Sequence, residues 1–244
     1  MLLEKKTAIV YGAAGAIGSA VARAYAREGA AVNLVGRTAQ TLDRVEAAIR
    51  GDGGTAQVAQ LDVLDPTAVV QHANAVAANG GIDVCFNAIS NDDVQGTPLS
   101  EIDFNDFMRP VIKAVSVHLI IARAVARHMV VRGGGVLLVM AGGREAIPDL
   151  GGSHVAWSAL SGLCRQLASE LGPRGIRVAW LLSPGSPGPN ESDLVETKSE
   201  SRGPLLGHRP TYDDVANAAV FASSEWARTM TATEINLTGG LVLD

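Results

Sequence analysis

Aromatic residues are scarce in this chain, at 4% of the sequence, and no stripe of basic residues runs through it. With a formal net charge of −5, the electrostatic footprint of a nucleic-acid binder is missing, so no nucleic-acid partner is expected. Cysteine is nearly absent too. Cys85 and Cys164 are the only two, each inside an apolar segment, which predicts buried thiols rather than a disulfide or a metal site. The five histidines, His72, His118, His128, His154 and His208, lack metal-ligand spacing, and no metal is expected. The opening residues, MLLEKKTAIVYG, run straight into a strand with none of the layout of a signal peptide. No apolar stretch reads as long enough to span a membrane. A cytoplasmic protein with no membrane partner is the expectation.

What the chain does have is glycine, 27 residues of it among 244, and an abundance of alanine and aliphatic side chains. Short β-branched runs at 7–11, 31–35, 56–61, 82–87, 136–140, 176–182 and 233–237 read as strands. Amphipathic stretches at 16–28, 41–49, 66–78, 106–132, 154–171 and 212–223 lie between most of them. Strands alternating with helices predict an α/β fold, a doubly wound, mostly parallel, Rossmann-like sheet of about seven strands with helices on both faces. The length suits a single domain, 1–244. Two polar loops, 91–103 and 183–210, follow strand ends, where open α/β sheets bind ligands; the second reads as a mobile flap.

Residues 11–18, YGAAGAIG, join the first strand to the first helix, with Gly12, Gly15 and Gly18 at intervals of three. Glycine permits a sharp turn and close approach to phosphate oxygens, and the helix start offers unpaired N–H donors to a pyrophosphate. The second strand ends in NLVGRT. An acidic residue there would bind the ribose 2′-hydroxyl of NAD; Arg37 stands instead, and a guanidinium suits a 2′-phosphate, so NADP is favoured over NAD. Asp62 and Val63, after the third strand, are placed to meet the adenine.

In order along nearly the whole chain, Gly12-x-x-x-Ala16-Ile17-Gly18, Asp62-Val63, Asn87-Ala88, the run from Gly172 to Val178, Pro184-Gly185 and Gly239-Gly240 resemble the short-chain dehydrogenase/reductase superfamily. Tyr11 and Ala16 stand where that family usually has Thr and Gly. Its Asn-Asn-Ala-Gly motif survives as Phe86-Asn87-Ala88-Ile89. The resemblance implies that Gly12, Gly15, Ala16, Ile17, Gly18, Arg37, Asp62, Val63, Asn87, Ala88, Pro184 and Gly185 hold the dinucleotide. It also implies a small-molecule substrate and a homodimer or homotetramer, formed through the broad apolar faces of the helices near 106–132 and 154–171.

Family members use an Asn, a Ser and a Tyr-x-x-x-Lys pair, the Lys one helical turn away lowering the phenol pKa so that it exchanges a proton with the substrate oxygen. Counted without gaps from matched anchors, these positions fall on Ala114, Gly142, Ser153 and Trp157. A one-residue slip gives His154 and Ser158, and no tyrosine lies between Tyr25 and Tyr212. His154 is the candidate substitute acid or base; Arg144, Glu145 and Asp149 are further groups near the cleft. Three readings stay open: an NADP-dependent oxidoreductase with a non-standard acid–base arrangement, a catalytically silent nucleotide-binding or scaffold subunit, and a non-redox enzyme such as a dehydratase or cyclase.

Overall fold

The structure is a computed structural model and describes residues 1–183 and 203–243. Seven strands, β1 (Thr7–Tyr11), β2 (Ala31–Gly36), β3 (Thr55–Gln60), β4 (Val84–Asn87), β5 (Gly135–Ala141), β6 (Ile176–Leu182) and β7 (Thr233–Asn236), form one sheet in the order β3-β2-β1-β4-β5-β6-β7. All its pairings are parallel. Helices α1 (Ala16–Arg27), α2 (Ala39–Gly51), α3 (Pro66–Ala78), α4 (Phe104–Arg132), α5 (Ser153–Leu171) and α6 (Tyr212–Ser223) cover it. Burial on both faces explains why the strands read as near-continuous apolar runs. One core layer joins the sheet to α1, α2 and α6, and the other joins it to α3, α4 and α5.

Local chemistry sets the helix boundaries. Asp65 caps α3 by accepting from Thr67 and Ala68 N–H, with Pro66 in the first turn, where its missing donor costs nothing. Asp103 caps α4, which therefore begins two residues before the sequence pattern suggests. Thr211 and Asp214 form a reciprocal capping box on α6. By contrast α1, α2 and α5 start without a side-chain cap. β4 begins later than its apolar run because the Asp83 carboxylate turns to accept the Thr7 N–H at 2.8 Å.

Contrary to the sequence reading, α4 is long and apolar enough to cross a membrane by composition. Half of its most apolar window is buried within the fold. Both cysteines are buried and unpaired. Residues 184–202, and with them Pro184, Gly185 and most of the expected flap at 183–210, lie outside the described residues.

Candidate dinucleotide site and adjoining cleft

Strand order reverses between β1 and β4, and ligands bind beyond the carboxyl ends of strands at such a switch. The register brings those ends level: Tyr11 stands opposite Val35 on one side and Asn87 on the other, and Asn87 opposite Val139. Gly12, Arg37, Ala88 and Gly142 therefore emerge along one edge.

The turn after β1 is tied to β2 by Gly12 and Ala13 N–H groups, both donating to Val35 O. Gly12 has a φ of +79°, and a Cβ there would stand 2.6 Å from Ala88 O. A Cβ on Gly18 would stand 2.1 Å from Gly12 O. Glycine is thus required at both positions, by backbone conformation and by helix–turn contact. Gly15 is different: its nearest neighbour would be 3.4 Å away, and its part is to cap α1 without a side chain. The first-turn N–H groups of α1, at Ala16, Ile17 and Gly18, have no intrahelical acceptor and form the anion-binding end of the helix. Tyr11 turns away from this mouth. Its ring is fully buried, edge-on to His72 at 6.2 Å, and burial holds its phenol well above the usual value.

Arg37 follows β2 with its side chain exposed, and its carbonyl accepts from Gln60 Nε2 at 2.9 Å. No ion-pair partner faces its guanidinium among the described residues. Asp62 is exposed, one carboxylate oxygen holding its own turn through Leu64 N–H at 3.0 Å; Val63 beside it is buried. Asn87 is buried, its Oδ1 accepting the Ile89 N–H at 3.0 Å, and Ala88 N–H donates to Tyr11 O.

Four residues occupy the positions counted as catalytic. Ala114 is buried in α4, its carbonyl engaged by His118 Nδ1 at 2.7 Å. The Trp157 indole lies against Gly142: a Cβ at 142 would be 2.0 Å from its Cε2. Serine at 142 and this placement of the ring exclude each other. Ser153 has no exposed surface; its Oγ accepts from Gln95 Nε2 at 3.1 Å and donates to the Asp93 carboxylate. Burial raises the Asp93 pKa, and the Ser153 bond offsets part of that rise. His154 is half-buried; its Nδ1 is itself buried and has no hydrogen-bond partner among the described residues.

Arg144 does not stand free at the cleft. It pairs with Glu234, which also accepts from Trp180 Nε1 at 2.7 Å. Sequence reasoning marked 91–103 as ligand-facing but singled out no residue in it. The structure brings Asp93 and Gln95 to Ser153, and pairs Asp92 with Lys113 at 2.5 Å. Asp92 adopts a φ of +57°, the kind of local strain that pairing with Lys113 can hold. Its sequence signal was only an Asn-Asp-Asp run.

The family described as Enoyl-(Acyl carrier protein) reductase matches residues 12–242. A D-threitol dehydrogenase of Mycolicibacterium smegmatis is 31% identical, covering 99% of this chain and 94% of its own length. The chain belongs to the short-chain dehydrogenase/reductase superfamily. Membership makes it an oxidoreductase by family, in a group whose members bind nicotinamide cofactors and small-molecule substrates. A short-chain dehydrogenase from Burkholderia cenocepacia, solved in complex with NADP, superposes with a TM-score of 0.85 at 27% identity, over 99% of both chains. A xylitol dehydrogenase solved with NAD+ superposes at 0.89 over 98% of this chain and all of its own, at 23% identity; that likeness concerns the fold.

Proposed function

We propose that this short-chain dehydrogenase/reductase binds NADP(H) in preference to NAD(H) and reduces or oxidises a small molecule without the Tyr–Lys proton machinery of its family. The observation that carries the cofactor reading is the pairing of a cradle with an unpartnered cation. Gly12 and Gly18 allow the tight turn and its close approach to α1, which a Cβ at either would block by striking backbone; α1 opens with free N–H groups, and Arg37 stands on the adjacent strand end with no carboxylate paired to it among the described residues. In this reading the first turn of α1 holds the pyrophosphate, Arg37 the 2′-phosphate, and Asp62, Val63, Asn87 and Ala88 the adenosine side. Pro184 and Gly185 belong to the same assignment by resemblance. A bound reduced dinucleotide would supply hydride.

The catalytic part rests on how the four family positions are filled. Ser153 is sealed under Gln95 and Asp93, and an aliphatic hydroxyl cannot replace a tuned phenol at neutral pH. Trp157 cannot titrate. Proton transfer then falls to another group, and His154, half-buried in the first turn of α5 beside Ser153, is the substitute we assign. One observation favours a second reading, a silent nucleotide-binding subunit: the Trp157 indole fills the space over Gly142 where a substrate oxygen would be fixed. The proposal extends to a cytoplasmic homodimer or homotetramer.

NADPH consumption against a panel of aldehydes, ketones and keto-polyols separates the two. Turnover that falls at least tenfold in His154→Ala, with NADPH binding unchanged, supports the enzyme. Tight NADPH binding with no turnover on any carbonyl supports the silent subunit.

A further inference from the structure

Two residues deep in the core carry polar atoms that lack partners among the described residues, and both residues line one small cavity. Asn87, at the carboxyl end of β4, is 3% exposed, and His118, in α4, is 4% exposed. Asn87 Nδ2 and His118 Nε2 are both buried without a hydrogen-bond partner. Such orphans are costly and uncommon in folded proteins. Both residues line one cavity of about 20 Å³ between β4, β5, α4 and α5. One water molecule needs roughly 10–15 Å³ and at least two polar partners.

Hydrogen-bond chemistry fixes what each orphan can do. The Asn87 Oδ1 already accepts from Ile89 N–H, which orients the amide and leaves Nδ2 as a donor. A carbonyl cannot donate, so the 2.7 Å contact from His118 Nδ1 to Ala114 O places the proton on Nδ1. Burial keeps the ring neutral, pushing its pKa down to about 4. His118 Nε2 is therefore an acceptor. A donor and an acceptor on residues lining the same cavity, with no hydrogen bond between them, are both satisfied by a mediator that accepts from one and donates to the other.

We propose that a single buried water bridges Asn87 Nδ2 and His118 Nε2, accepting from the amide and donating to the ring. Its second O–H faces the Cys85 and Cys164 thiols, which line the same cavity and are weak acceptors. The bridge ties α4 to the turn that walls the glycine cradle, because Asn87 holds Ile89, and the Ala88 carbonyl between them abuts Gly12. The site stands whether or not the chain turns over a substrate.

A crystal structure at high resolution is the direct test. One ordered water within hydrogen-bond distance of both atoms is expected; an empty cavity, or a direct Asn87–His118 contact, overturns the proposal. In solution, nitrogen NMR of His118 should show the Nδ1–H tautomer at pH 7, and an Nε2–H tautomer would contradict it. Asn87→Leu and His118→Leu should each lower Tm by roughly 2–8 °C, since each leaves the water one partner short. The double variant should lose clearly less than the sum, and strictly additive losses would count against a shared water. The crystallographic and NMR arms use the unaltered chain, so they decide the matter even if a variant fails to fold.

Discussion

An added methyl group at Gly142 would collide with the Trp157 ring, and one at Gly12 with the Ala88 carbonyl, yet the two collisions predict different things. The first is with a side chain. Gly142→Ala should cost about 1–3 kcal/mol in urea denaturation and much less in a Trp157→Ala background, because removing the ring removes the clash. Equal losses in both backgrounds would mean that the indole does not rest there. The second collision is with backbone, at a φ of +79°, and has no such escape. Gly12→Ala should lower stability by at least about 1 kcal/mol and abolish dinucleotide binding by calorimetry.

His118 gives a pH prediction. Its folded pKa, about 4, lies below the ordinary histidine value of 6.5 because burial disfavours the charged ring. The unfolded chain therefore takes up a proton that the folded chain refuses. This contribution to stability is intact above pH 6.5 and is lost progressively as pH falls towards 4. Urea midpoints measured from pH 7.5 down to 4.5 should fall across that window, and by clearly less in His118→Leu. Counting along the sequence assigns Ala114, Gly142, Ser153 and Trp157 to the family's catalytic positions, as proposed above. It does not show that Trp157 packs on Gly142 or that Ser153 is sealed by Gln95, since both contacts depend on side-chain direction and loop path.

Helix α4 shows what local pattern settles and what it leaves to packing. Its extent was legible from apolar spacing to within two residues at its start. Pro110 lies inside it as the seventh residue, buried. The proline forfeits a donor to the preceding turn, and its ring lies close to Gly152 at the start of α5. A Cβ at Gly152 would come within 1.9 Å of Phe107 O. Small size at residue 152 lets α5 dock on α4, which the sequence pattern could not reveal. The same two helices leave Ile112 59% and Val155 44% exposed, more than buried-face residues of packed helices would be. If these faces pair two copies of the chain, Ile112→Glu should shift the species seen by light scattering from dimer or tetramer to monomer. An unchanged mass would place any interface elsewhere.

Across the whole molecule, the alternation of strands and helices was legible almost end to end, because a parallel sheet buried on both faces imposes a strong apolar rhythm. The strand order β3-β2-β1-β4-β5-β6-β7, and with it the switch point, was not legible, because alternation and right-handed crossovers leave open on which side each new strand is added. The tight turn between β1 and α1 was legible for a related reason: the spacing of Gly12, Gly15 and Gly18 answers to backbone geometry, which sequence encodes directly. Chemistry elsewhere in the cleft depends on which side chains reach a common point, and the meetings of Asp93 and Gln95 with Ser153, of Asp92 with Lys113 and of Glu234 with Arg144 became visible only in three dimensions.

The proposed selection of NADP(H) by Arg37 and the glycine turn is decided by calorimetric titration with NADPH, NADP+, NADH and NAD+. The phosphorylated pair should bind at least tenfold more tightly than NADH and NAD+, with that preference lost in Arg37→Ala. Equal affinity for all four, or no binding of any, would contradict it.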